Sequence, residues 1–146
     1  MSIPFGVTIP FIQQMLGFTL EVFEGGKSVL HFRPKAEHCN SFRVVHGGAV
    51  MTLLDVAMAT AARSAMPSDT GVVTIEMKTS FMRPTPAQNG EQLVIGEGRL
   101  LHRTRSTAFV EGRVLDQDGN LCAMATGTFR YVPRAAGAEA RPVATD

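Results

Sequence analysis

Cysteine is scarce in this chain: Cys39 and Cys122 are the only two among 146 residues. That is too few for a disulfide scaffold, and the two form no metal-type pair. An excess of either charge is missing as well. Fourteen basic residues against thirteen acidic ones leave a net charge of +1. The balance argues against a nucleic-acid or membrane-surface protein, which would carry a basic stripe. Small anionic ligands stay open, since they need only a few local arginines. No apolar run approaches the length of a membrane span, and the opening Met1-Ser2-Ile3-Pro4-Phe5-Gly6 has neither a basic flank nor an apolar signal core. The expectation is a soluble protein of the reducing cytoplasm.

Apolar residues make up 45% of the chain and charged residues 18%, enough for a packed core and too apolar for global disorder. The length predicts one domain, over residues 1–134, and an Ala-rich mobile tail over 135–146. Ile9 to Leu16 reads as a short helix stopped by Gly17. Extended runs follow at Gly17–Glu24 and Lys27–Arg33 around the Gly25-Gly26 turn, and Pro34 to Val45 is loop-like. Ala49 to Met66 holds neither proline nor glycine and predicts one long helix. Its apolar residues cover nearly the whole circumference, the pattern of a helix enclosed by other structure. Four strands are expected next: Val72–Arg83, Gln92–Arg103, Ser106–Asp116 and Leu121–Val132. In the first, Val73, Ile75, Met77, Thr79 and Phe81 share one face, opposite Thr74, Glu76, Lys78 and Ser80. Asp116 to Asn120 carries an Asp-Gly hairpin signal. Short turns between consecutive strands imply an antiparallel sheet. The fold class is α+β, with that sheet wrapped around the helix.

Asp55 is the only charged side chain between Gly47 and Ala62, and burying an unpaired carboxylate is costly. Two readings stand. Thr52, Asp55 and Arg63 fall on a stripe that touches solvent or a partner, or Asp55 is a carboxylate in an apolar cleft acting as general base or nucleophile. The pair Gly47-Gly48 likewise reads as a tight entry into the helix or as a set of amides that hold an oxyanion. One such donor contributes about 3 kcal/mol in enzymes. Along a straight helix, eight residues separate the two groups by about 12 Å, whereas a reacting carbonyl must lie about 3 Å from both. Two antiparallel helices in a homodimer would meet that demand.

Asn40, then His46-Gly47-Gly48, then Asp55 beside Leu53-Leu54 resembles the hotdog-fold acyl-CoA thioesterases, closest to the phenylacetic-acid-degradation type. The resemblance runs from about Pro10 to Arg134 and includes Val73-Thr74-Ile75-Glu76-Met77 and Phe81-Met82-Arg83-Pro84. It implies a sheet around a central helix, a homodimer and often a homotetramer, and thioester hydrolysis without metal or cofactor, coenzyme A being part of the substrate. Carried over, Asp55 activates water or attacks the thioester, and Gly47 of the partner subunit polarises the carbonyl. Asn40 helps place water or thioester, His46 supports the loop, and Thr74 matches a hydroxyl that assists water placement. Arg83, Arg103 and Arg105 stand at strand ends where they could meet coenzyme A phosphates or simply be solvated. Where many members have a glycine between the Asn and His-Gly-Gly, this chain has Arg43, a departure that allows another loop path.

The four histidines, His31, His38, His46 and His102, lack metal-ligand spacing, and no Gly-x-Ser-x-Gly elbow is present. Cys39 beside His38 reads as an incidental loop residue and Cys122 as core. Gly96-Glu97-Gly98 lies within a strand and lacks a nucleotide fingerprint. Three functions therefore compete: a thioesterase, a hotdog hydratase, whose Asp or Glu and His motif orders are not found here, and a non-catalytic acyl-CoA-binding module, which would not need Asp55.

Overall fold

A computed structural model of the chain describes residues 1–133; the expected tail over 135–146 lies outside them. The described residues form strands β1 (Thr19–Glu24), β2 (Lys27–Phe32), β3 (Thr70–Phe81), β4 (Val94–Arg103), β5 (Thr107–Leu115) and β6 (Leu121–Pro133), with helix α1 (Gly47–Ser64) between β2 and β3. The predicted first helix is shorter than expected, a single π-turn at Phe11–Met15, which ends at Gly17 with φ +74°. The long helix begins and ends two residues earlier than predicted, at Gly47 and Ser64, with His46 as its N-cap.

All pairings are antiparallel, in the order β1-β2-β4-β5-β6-β3. The sheet is not a simple meander. β3 skips its sequence neighbour β4 and closes the far edge against β6, leaving its other edge unpaired among the described residues. All six strands touch α1, so the sheet curls around the helix as a hotdog fold. The β5–β6 hairpin is set by Asp116, whose carboxylate accepts the N–H groups of Asp118 and Asn120 and the Asn120 amide. These bonds, led by that to the Asn120 backbone, hold the Asp116 carboxyl below its ordinary range.

Two packing details depart from the expectation. First, α1 is not enclosed by its own chain. Val50, Leu53, Leu54, Ala57, Met58 and Ala61 are buried at helical spacing, whereas Met51 stays 39% exposed and Thr52, Asp55, Val56 and Ala59 are only half-buried. Second, the β3 alternation is interrupted. A bulge between Thr74 and Glu76 shifts its register against β6. Val72 and Thr74 pair with the buried Tyr131 and Phe129, and after the bulge it is Met77, Thr79 and Phe81 that pair with the inward Gly127, Ala125 and Ala123. One extra residue inverts the side-chain parity. Val73 and Ile75 accordingly stay exposed instead of sharing the inner face with Met77.

Candidate active site

The bulge gives Thr74 its position. On the inner face, its hydroxyl donates to Asp55 Oδ1 at 2.6 Å. Asp55 projects from the middle of α1 on the side its own sheet leaves open, and Oδ2 accepts no hydrogen bond among the described residues. A carboxylate with one oxygen held and the other free is oriented for proton transfer or attack.

At the helix start the backbone N–H groups can be counted. His46 caps the helix, with its Nδ1 accepting the Gly48 N–H at 2.8 Å. Its carbonyl accepts from Ala49 and Val50 at 2.9 and 3.1 Å. Gly47 alone keeps an N–H with no acceptor among the described residues. The same bond fixes the His46 tautomer: Nδ1 is an acceptor, so the neutral ring carries its proton on Nε2. A side chain at residue 48 would crowd this ring, since a Cβ there would lie 3.1 Å from Nδ1.

Asn40 builds the preceding loop. Its Oδ1 accepts from the N–H of Phe42 at 2.9 Å and of Val44 at 3.4 Å, an Asx-type turn. Arg43 within it has φ +62°, the left-handed conformation that glycine adopts freely. The arginine thus stands in a conformation that favours glycine. The three arginines are not gathered in one chain. Arg83 follows β3 at the Gly47 end, whereas Arg103 ends β4 and Arg105 lies in the β4–β5 turn, at the opposite end of the sheet.

With this geometry in place, comparison with known proteins decides the family. The Thioesterase superfamily profile matches residues 42–123, from the Asn40 turn through α1 to β6. The chain belongs to the thioesterase superfamily. Among curated proteins, a candidate esterase of Saccharolobus solfataricus is 32% identical over 120 residues, covering 81% of this chain and 75% of that protein. An uncharacterised Schizosaccharomyces pombe protein is 30% identical over 109 residues, 72% of this chain but only 60% of the relative's length. Among solved structures, a candidate thioesterase related to phenylacetic acid degradation, from Ralstonia eutropha, aligns with a TM-score of 0.74 at 28% identity, covering 85% of this chain and 92% of the other. A Streptococcus mutans protein solved with acetyl-CoA bound shares the fold at TM-score 0.72 and 22% identity, over 80% of this chain and 90% of its own. Membership and the esterase relative support thioester hydrolysis as the general chemistry of this superfamily member.

His38, which the sequence offers only as a metal ligand or as the neighbour of Cys39, has a structural role that sequence reasoning does not reach. His38 is buried and both ring nitrogens are used: Nδ1 accepts the Lys35 N–H at 3.0 Å and Nε2 meets the Met15 carbonyl at 2.6 Å. Its own carbonyl accepts the His46 N–H at 2.9 Å. One residue thereby ties the N-terminal π-turn to the loop that sets up Gly47. The pairing spans residues far apart in sequence, and only the Pro34–Val45 loop composition hinted at it. Among the described residues no group of three His, Cys, Asp or Glu side chains could hold a metal ion, and no helix is long and apolar enough to cross a membrane.

Proposed function

We propose that this protein hydrolyses an acyl-CoA thioester to the free acid and coenzyme A, at sites shared between two copies of the chain. The observation that carries the reading is one helix bearing both a Thr74-held carboxylate and an unsatisfied Gly47 N–H, about 12 Å apart along its axis. One chain cannot bring both to a single carbonyl. Antiparallel pairing of two β3 edges can, because Asp55 lies beside Thr74 while Gly47 lies against Phe81. A two-fold axis at Lys78 would pair Met77 with Thr79 of the partner subunit and, with the bulge residue Ile75 skipped, set Thr74 opposite Phe81 of the partner subunit, inward residues meeting inward ones. The unpaired β3 edge, the exposed Val73 and Ile75 beside it, and the uncovered face of α1 support such a dimer. The same axis brings Arg83 to the end of the joined sheet that holds Arg103 and Arg105 of the partner subunit, a basic set for coenzyme A phosphates.

As general base, Asp55 Oδ2 takes a proton from water while the oxygen adds to the thioester carbon. The carbonyl oxygen gains the negative charge and is held by the N–H of Gly47 of the partner subunit. Collapse breaks the C–S bond, and the departing thiolate takes the proton from Asp55. As nucleophile, Asp55 Oδ2 instead displaces the thiolate to give a mixed anhydride, which water cleaves. In both schemes Thr74 fixes the carboxylate, His46 shapes the helix entry, and Asn40 holds the loop and offers its amide to water or thioester. The acetyl-CoA in the Streptococcus mutans relative supports the choice of thioester.

An acyl-CoA panel followed by free thiol release tests the reading. Asp55→Asn should lower kcat by about 10³-fold while acyl-CoA binding persists. Wild-type protein that binds acyl-CoA without releasing thiol would overturn it in favour of a binding module. Loss of enoyl absorbance without thiol would point to a hydratase.

A further inference from the structure

The Gly47 N–H has no acceptor among the described residues, so its direction is set by what its neighbours hold. Three bonds fix the peptides on either side. The Val45 N–H donates to the Thr85 carbonyl at 3.0 Å, the His46 N–H to the His38 carbonyl at 2.9 Å, and the Gly48 N–H to His46 Nδ1 at 2.8 Å. Thr85 is stiffened by the prolines on both sides of it, Pro84 and Pro86. His38 has no such covalent help, and its ring supplies the restraint instead.

That ring is fastened to three elements. Lys35 and His38 exchange bonds: the Lys35 carbonyl accepts the His38 N–H at 2.9 Å, and His38 Nδ1 accepts the Lys35 N–H at 3.0 Å. Because Nδ1 accepts, the neutral ring carries its proton on Nε2, which donates to the Met15 carbonyl at 2.6 Å. Phe32 of β2 packs against the ring, with centroids 5.3 Å apart. The Met15 carbonyl stands at the end of the π-turn, where helical acceptors lack partners of their own. The turn itself is anchored in the core by Ile12 and Leu16. The Lys35 bond spans three residues and the Met15 bond twenty-three.

Resting on the thioesterase reading above, we propose that His38 is a positioning residue for the reaction. Latched to the Met15 carbonyl, it holds its own carbonyl against the His46 N–H and so aims the Gly47 amide at the developing oxyanion. It touches neither the substrate nor the reacting atoms. The N-terminal π-turn thereby belongs to the catalytic geometry as well as to the fold. Negative charge gathers on the carbonyl oxygen as the transition state is reached, so a misdirected donor lowers the rate and leaves ground-state binding in place. Of the two ring bonds, the one to Met15 reaches outside the loop, and its loss is the one that Gly47 should feel.

Two substitutions separate the bonds. His38→Gln keeps an N–H where Nε2 stands and gives up the acceptor at Nδ1. His38→Asn keeps an acceptor where Nδ1 stands and gives up the reach to Met15. Each loses one bond, so a merely structural role would lower stability and activity alike in both. Positioning predicts that His38→Asn lowers kcat roughly tenfold to a hundredfold with KM within about twofold, and that His38→Gln stays within about threefold of wild type in both. The amide NMR resonance of Gly47 should shift in His38→Asn and keep its place in His38→Gln. Equal losses of kcat in the two variants, an unchanged kcat in folded His38→Asn, or a raised KM with kcat intact would overturn the proposal. The wild-type protein offers a check that needs no variant to fold: His38 should show a slowly exchanging proton on Nε2 and none on Nδ1. A proton on Nδ1, or fast exchange at Nε2, would overturn the latch. Wild-type protein without thioesterase activity would instead strike the underlying reading, and the Gly47 resonance would still decide whether His38 sets that amide.

Discussion

The two faces of α1 obey different rules. On the closed face Leu53, Leu54, Ala57 and Met58 are fully buried against strands from which side chains have been removed. Gly96, Gly98, Gly112 and Gly127 lie where a Cβ would strike Leu53, the Ala57 carbonyl, Met58 or Phe129. Helix and sheet approach so closely that Ser28 reaches the Ala57 carbonyl oxygen at 2.5 Å. On the open face Thr52, Asp55 and Ala59 are half-covered and Met51 is exposed. Stability is concentrated on the first face and chemistry on the second. An acid is tolerable within so apolar a helix because it stands where its own chain does not bury it.

The largest expected effect breaks the closed face. In Gly98→Ala the new methyl would occupy the place of the Ala57 carbonyl oxygen and crowd the Ser28 hydroxyl. Backbone cannot give way as a flexible side chain can, so helix and sheet must separate. Overpacking of this kind costs about 3 kcal/mol, to be read from urea denaturation. Retained stability would show that the contact is softer than the geometry implies.

The open face should respond in the opposite currency. Thr74→Val removes the hydroxyl that holds Asp55 Oδ1, and loss of a bond to a charged group of about 1.4 kcal/mol corresponds to about a tenfold drop in kcat. The urea midpoint should barely move, because Thr74 is exposed. Thr74→Ser, which keeps the hydroxyl, should recover most of the rate. A variant that lost stability as Gly98→Ala does, with its specific activity intact, would erase the division between the two faces.

Much of this arrangement was legible in the sequence, and the exceptions have physical causes. The long helix was readable because the eighteen residues from Ala49 to Met66, rich in good helix formers and without proline or glycine, leave few alternatives. Asp55 was conspicuous because its surroundings are apolar. Thr74 was set on the wrong face because alternation carries no record of a bulge; Ile75 is as apolar as a core residue, yet it is 59% exposed. The one-sided cover of α1 was legible only in part: the stripe of Thr52, Asp55 and Arg63 marks a face that touches solvent or a partner, and all three are half-buried, but composition does not report whether this chain or another covers the apolar residues beside it. The role of His38 required the π-turn, the loop and the helix entry to be in place together, three segments whose proximity no local pattern encodes.

The smallest effect concerns the loop that leads into the open face. Arg43 holds φ +62°, a conformation that costs a residue with a Cβ about 1 kcal/mol. Gly25 and Gly119 occupy the same region at φ +55° and +84° without that cost. Arg43→Gly removes the strain in the folded loop but adds freedom to the unfolded chain, and the two effects oppose each other. A net gain of about 0.5 kcal/mol is expected in urea denaturation. Arg43→Val, with a β-branched side chain in the same conformation, should instead lose about 1 kcal/mol or more. Because the Asn40 carboxamide oxygen holds the neighbouring N–H groups of Phe42 and Val44, the glycine variant should keep the turn and leave kcat within about twofold of wild type, a change of about 0.4 kcal/mol. A large fall in kcat with improved stability would mean that the guanidinium itself serves the reaction, and the loop would then belong to the chemistry of the open face as well as to its scaffold.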